Sequence, residues 1–264
     1  MMRALYSAAT GMEAQQFSMD TISNNLANVN TTGFRRNEAR FQDLVYQELR
    51  APGTPVGASM VPVGQDVGLG VKVGSSEKIF TQGNLIQTSN PLDVAIQGDG
   101  FFQVTMPDGT TAYTRDGSFK LDANGAIVTA NGYFLQPQIS VPQNAQQLNV
   151  GQDGTVTALV PGSAQPQQLG QIQLARFVNP AGLSPVGGDN LYTQTAASGA
   201  PIVSQAGLNG TGTLQSGYLE NSNVEVVQEI VNMIVAQRAY EANSRSISTA
   251  DQMLQTATQM QQNG

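Results

Sequence analysis

The chain has 264 residues and a mass of 27.8 kDa, enough for one large domain or two ordinary ones, and it contains no Cys, His or Trp. Those absences exclude a thiolate nucleophile, a Ser–His triad, an imidazole base and an ordinary zinc or copper site. With 12 Lys+Arg against 19 Asp+Glu, a net charge of −7 and only 12% charged residues, the chain lacks the basic footprint of a nucleic-acid binder, and its weakly charged surface suits either packing against copies of itself or a neutral extracellular protein.

At the N-terminus Arg3 is followed by no unbroken apolar core before Glu13, Gln15 and Gln16, so no cleaved signal peptide is expected. No stretch approaches the roughly 18 apolar residues of a membrane span. Leu5, Met12, Met19 and Leu26 recur every seven residues, with Ala8, Gln15, Ile22 and Val29 three places after each, which predicts a helix with a heptad seam.

Glycine and proline then change the character of the chain. All 12 Pro lie between Pro52 and Pro201, and apart from Gly11, Gly33 and Gly264 every glycine falls between Gly53 and Gly217. Turn pairs at Asp108-Gly109, Asp116-Gly117, Asn124-Gly125 and Asn131-Gly132 bracket short strand-like runs at Phe101–Thr105, Ser118–Leu121 and Ala126–Thr129. An antiparallel meander or small barrel is the expected outcome. From Asn144 to Gly217 alternation is weaker; Leu169–Val178 is its best strand run.

The C-terminal stretch carries a second seam of Val226, Met233, Tyr240, Ile247 and Leu254, again every seven residues and free of Gly and Pro. Ser222 and Glu225 stand at capping-box spacing and predict its start. Helices of about 28 and 40 residues would be roughly 40 and 60 Å long. The fold class expected is therefore α+β: long terminal helices forming a coiled-coil-like pair, with an antiparallel all-β domain inserted between them. The expected divisions are 1–32, an N-terminal helix; 33–75, a junction and extended segment; 76–216, the β domain; and 217–264, a C-terminal helix. A seam of this kind also fits one face of an ordinary helix laid on the β domain.

No constellation points to chemistry. Gly68-Leu69-Gly70 and Gly98-Asp99-Gly100 lack the third glycine of a dinucleotide loop, Val73 and Gln103 standing in its place. Asp122-Ala123-Asn124-Gly125 has its glycine too early for a calcium loop and reads as a hairpin turn. Asp108 and Asp116 precede turn glycines, where their carboxylates serve the backbone rather than a glycosidase pair. No enzyme activity, cofactor, metal, nucleic acid or small-molecule substrate is expected.

Two terminal motifs carry a resemblance. Ala27-Asn28-Val29-Asn30-Thr31-Thr32-Gly33-Phe34-Arg35-Arg36 resembles the N-terminal motif of the axial proteins of the bacterial flagellum, namely its rod, hook and hook-associated proteins. Gly217-Tyr218-Leu219-Glu220-Asn221-Ser222-Asn223-Val224, with Gln237-Arg238-Ala239-Tyr240-Glu241 and Asp251-Gln252-Met253-Leu254, resembles their C-terminal motif, and Asn90–Phe102 is similar to the start of their β domain. Within that family the similarity runs to members that build the distal rod, and the Gly/Pro-rich stretch from Tyr46 to Gly70 resembles their distinguishing extra segment.

The resemblance implies a homopolymer that forms a rigid hollow shaft transmitting torque from motor to hook. Leu5, Met12, Met19, Ile22, Leu26, Val226, Met233, Tyr240, Ile247 and Leu254 would pack an inner tube, with Asn28, Asn30, Gly33 and Phe34 forming the junction. Phe41 and Val45 look like the element that docks such subunits at the type III export gate, although an apolar turn beneath the β domain fits the same residues. The implied partners are the proximal rod and hook axial proteins and the ring proteins at the peptidoglycan and outer membrane. The implied location is the basal-body rod crossing the periplasm, reached without a cleaved signal. A proximal-rod or hook-type paralogue and, in a different class, a secreted oligomeric adhesin remain alternatives.

Overall fold

A computed structural model describes residues 2–53, 55–56, 59–60, 62–162, 165–188 and 190–262. Asn263 and Gly264, at the end of the expected C-terminal helix region, and positions 54, 57, 58 and 61 of the expected extended segment lie outside the described residues. The chain forms two compact units, each discontinuous in sequence: Met1–Leu26, Asn37–Glu77 and Glu225–Gly264 make the helical unit, and Ala27–Arg36 with Lys78–Val224 the β unit.

The helical unit contains α1 (Met2–Ala27, 26 residues) and α2 (Val226–Gln262, 37 residues). The segment between Asn37 and Lys78 is a two-stranded ribbon: Asn37–Asp43 pairs with Val71–Lys78, and Tyr46–Arg50 pairs antiparallel with Gln65–Gly68. Asn25 ties α1 to the ribbon's first strand, its Nδ2 donating to the Asn37 carbonyl at 2.8 Å and its Oδ1 accepting from the Asn37 N–H at 2.9 Å. Among the described residues, Ala8, Ala14, Ile22 and Asn25 of α1 and Glu229 and Ala236 of α2 are buried.

Helix α2 begins at Val226, four residues beyond Ser222. Ser222 does not open a capping box; its Oγ accepts from the Val224 N–H at 3.2 Å. The reason is Asn223, whose Nδ2 donates to the carbonyls of Ile79 and Thr81 while its Oδ1 accepts from the Arg36 N–H, tying the residues before the helix into the β unit.

The strand pairings described in the β unit are all antiparallel. Its main sheet runs Lys120–Leu121, Ile127–Val128, Phe134–Gln136, Phe101–Thr105, Thr111–Thr114, Leu191–Thr193, Ser184–Val186, with Gln173–Arg176 also bonded to Phe101–Thr105 and to Ile202–Gln205. Gln147–Val150, Thr155–Leu159 and Gln167–Gln171 form a three-stranded sheet. Phe102, Phe119, Ile127, Leu135, Ile172 and Leu174 fill one core, and Phe101, Tyr113, Phe177 and Tyr192 a second. Because adjacent strand residues point to opposite faces, Phe101 and Phe102 show that the sheet is covered on both sides here.

Three of the four expected turn pairs close hairpins: Asp108-Gly109, Asn124-Gly125 and Asn131-Gly132 join strands that pair with each other. Asp116-Gly117 does not. Thr111–Thr114 pairs with strands 101–105 and 191–193, whereas Lys120–Leu121 pairs with 127–128, so the chain changes partner at this turn. Asp116 instead holds a local loop, its Oδ1 accepting from the Ser118 N–H at 3.0 Å. The best strand run of the second half divides at Ile172 into 167–171 and 173–176.

Candidate functional site: the junction and the assembly faces

The junction lies within the β unit, where both ends of that unit's chain meet. After α1 the backbone turns at Thr31, whose N–H donates to the Asn28 carbonyl at 3.1 Å and whose Oγ1 donates to Asn28 Oδ1 at 3.2 Å. Asn28 is half-buried and Asn30 exposed. Gly33 takes φ +67 and donates its N–H to the Glu220 carbonyl at 2.9 Å. A Cβ on Gly33 would stand 2.7 Å from the Asp116 nitrogen and 2.9 Å from the Arg115 carbonyl carbon, which only backbone movement could relieve. Gly33→Ala should therefore cost about 2–4 kcal/mol of β-unit stability, combining left-handed strain with the clash, and a urea melt followed at the β signal measures it.

Beside Gly33, Phe34 is buried at 6% exposure, and the Lys78 ammonium lies 5.6 Å from its ring centroid and 5.7 Å from that of Tyr192. Burial lowers the Lys78 pKa and pushes the Tyr192 phenol up to about 12.

Next in sequence, Arg35 opens a buried charge cluster. Its Nη2 donates to Glu220 Oε1 at 2.8 Å, Arg115 Nη1 donates to Glu220 Oε2 at 3.4 Å, and the Gly83 N–H adds a third bond to Oε1 at 2.9 Å. The side chains of Arg35 and Glu220 are 0% exposed and that of Arg115 3%. Two guanidiniums thus share one carboxylate. Arg35 Nε and Nη1 and Arg115 Nε have no hydrogen-bond partner among the described residues, although the Arg115 guanidinium lies 5.3 Å from the centroid of Phe101. Burial, with Arg35 adding its repulsion, brings the Arg115 pKa down to about 10 against the pull of Glu220 and Asp99, leaving the group charged at neutral pH. Sequence reading quoted Arg35 and Glu220 only as motif letters; the cluster they form with Arg115 has no local signature.

In the helical unit the seam residues fall unequally. Ile22 is buried, and Leu5, Met12, Met19, Leu26, Met233, Tyr240, Ile247 and Leu254 are half-buried. Val226 is 39% exposed, and the shielded stripe of α2 starts instead at Glu229 and continues through Met233, Ala236, Tyr240, Asn243, Ile247, Ala250 and Leu254. A Cβ on Gly11 would come within 2.7 Å of Asn243 Nδ2, so the two helices approach closely there and a larger residue would require the Asn243 side chain to move.

A second apolar face on α2 escaped the heptad reading. Val227 is 71% exposed, Ile230 44%, Val231 48%, Ile234 48% and Val235 62%. The signal was present as three doublets, 226/227, 230/231 and 234/235, four residues apart, of which a seven-residue repeat takes one member at most. Phe41 and Val45 lie in the ribbon segment, 39% and 80% exposed.

Among the described residues this arrangement offers no reacting constellation: it is a charged lock in one unit and, in the other, a helix with an exposed apolar face. Both belong to a class of protein that works by joining copies of itself. Sequence models of three families match: a flagella basal body rod protein model over residues 5–35, a flagellar hook protein FlgE/F/G D1 domain model over 95–158, and a flagellar basal body rod FlgEFG protein C-terminal model over 215–260. The flagellar basal-body rod protein FlgG of Buchnera aphidicola subsp. Schizaphis graminum is 52% identical over 261 residues, covering 98% of this chain and 100% of that one. FlgG of Bacillus subtilis is 41% identical, covering 97% of each chain, whereas the flagellar hook-basal body complex protein FlhP of the same organism is 30% identical, covering 96% and 97%. The chain belongs to the flagellar basal-body rod protein family and is a structural, homopolymeric axial subunit of the flagellar basal body.

Proposed function

We propose that the chain builds the distal section of the rod, a rigid hollow drive shaft that carries torque from motor to hook and lets exported subunits pass through its bore. In this reading α1 and α2 pair in coiled-coil fashion through their shielded stripes, and copies pack side by side into an inner tube while the β units form an outer sleeve. The observation that carries it is the doubly apolar α2: one stripe suffices for a helix pair, and the second needs a neighbour. The same organism's rod protein being more similar than its hook-basal body paralogue, 41% against 30%, favours the rod over other axial roles.

The subunit acts without catalysis. Its partners in this reading are further copies, the proximal rod and hook proteins at its two ends, the peptidoglycan-level and outer-membrane rings around it, and the export gate. The exposed pair Phe41 and Val45 would meet that gate before assembly, on a route that needs no cleaved signal.

Electron microscopy of the purified protein at high concentration tests the assignment. Straight hollow tubes are expected; curved tubes would make it a hook-type subunit, and discrete oligomers an adhesin.

A further inference from the structure

Asn-Gly pairs occur in the chain at 124, 131, 209 and 263, and the last lies outside the described residues. Such a pair can modify itself, because the glycine nitrogen, unhindered by a side chain on its own residue, can attack the asparagine side-chain carbonyl. In a folded chain the outcome depends on what the glycine N–H and the asparagine amide are already bonded to.

The three described pairs differ in this respect. The Gly125 N–H donates to the Asp122 carbonyl at 2.9 Å and the Gly132 N–H to the Thr129 carbonyl at 3.0 Å, so each of these nitrogens is held in its turn. Gly125 is also buried, and Asn124 Nδ2 donates to Asp122 Oδ2 at 3.3 Å. Asn209 and Gly210 instead are the two central residues of a turn closed by the Thr211 N–H on the Leu208 carbonyl at 2.9 Å, with φ +52 and +75. In that geometry the N–H of the second central residue takes no part in the closing bond. Both residues are exposed, and neither the Gly210 N–H nor the Asn209 side-chain amide has a hydrogen-bond partner among the described residues.

A cation completes the arrangement. Arg176 ends strand 173–176, which pairs with 202–205, the strand leading towards this turn. Its Nη1 donates to the Asn209 carbonyl at 3.3 Å and would stand 2.9 Å from a Cβ on Gly210, so the guanidinium covers the peptide group whose nitrogen must react. When that nitrogen loses its proton, the negative charge is shared with the Asn209 carbonyl oxygen, where the guanidinium stabilises it.

We propose that Asn209-Gly210 is a self-modifying site, at which Asn209 deamidates through a cyclic imide with Arg176 activating the attacking nitrogen. Water takes the Gly210 amide proton, the nitrogen's electron pair forms a bond to Asn209 Cγ, and the side-chain nitrogen, protonated, leaves as ammonia. A second water opens the five-membered imide at either carbonyl, leaving aspartate or isoaspartate at 209. The net change is one water consumed and one ammonia released, with no oxidation or reduction, and the chain gains a negative charge in the turn that Arg176 covers.

Peptide mapping by tandem mass spectrometry of the full-length chain, incubated for weeks at neutral pH and sampled over time, tests this. Asn209 is expected to gain about 1 Da some fivefold or more faster than Asn124 and Asn131, whose glycine N–H must first give up a hydrogen bond. Arg176→Gln should slow Asn209 about threefold and leave Asn131 unchanged, with Arg176→Lys falling between. In urea the three pairs should react at similar rates, which places the difference in the fold. Equal rates in the folded chain, the same ranking kept in urea, or an Asn209 rate unaltered by Arg176→Gln would each overturn the proposal. If Arg176→Gln unfolds the turn, the wild-type ranking still decides the site and Arg176→Lys carries the test of the cation.

Discussion

Replacing Glu220 by alanine lowers the stability of the β unit by about 3–5 kcal/mol, because it leaves two desolvated guanidiniums facing each other with no carboxylate between them. The Gly83 N–H loses its acceptor in the same step. Chemical denaturation followed by near-ultraviolet circular dichroism measures the loss, and the melting temperature should fall by roughly 10 °C or more. Arg35→Met makes the sharper comparison. It removes the surplus positive charge and leaves Arg115 and Glu220 as a balanced pair, so it should cost less than half as much as Glu220→Ala. Equal losses in the two variants would show that the cluster acts through packing volume and not through charge.

The second large effect lies on α2. Ile234→Asp should abolish polymerisation while changing the stability of the isolated chain by less than about 0.5 kcal/mol, since the side chain is 48% exposed and flanked by the exposed Val227, Ile230, Val231 and Val235. In a polymer the same carboxylate would enter an apolar contact repeated at every subunit, and its desolvation cost would recur with each copy added. Sedimentation velocity, negative-stain microscopy and a motility assay in cells carrying only the variant provide the readouts. Tubes of normal length and wild-type swimming would remove this face from the assembly. Leu26→Gln and Ile247→Gln should also block assembly, but with a measurable loss of helical stability, because both positions are already half-buried within the helical unit.

The helices and most of the hairpins were legible because their signals are local. The Gly- and Pro-free ends, the heptads, and the Asp-Gly and Asn-Gly pairs at 108, 124 and 131 each act through a few neighbouring residues. Asp116-Gly117 has the same letters and a different outcome, since strand 111–114 finds its partners elsewhere in the chain. Ser222 likewise has the right spacing for a cap, but Asn223 is held by Ile79, Thr81 and Arg36, and those distant bonds delay the helix to Val226. The charge cluster was the least legible element: a buried Arg reads as a surface Arg until its partner, 185 residues away, is known. On α2, fitting one repeat hid the second stripe, which a count at spacing four would have exposed.

That separation of 185 residues also dictates a sequence of events in time. A chain emerging end-first from any narrow passage, whichever end leads, cannot bring Arg35 and Glu220 together until almost the whole β unit has come through. The loop they close is among the longest the chain can form, so its closure is late and entropically slow. A truncated or still-threaded chain lacks one of the cluster's charges, so the β unit closes its junction only once both segments have been delivered.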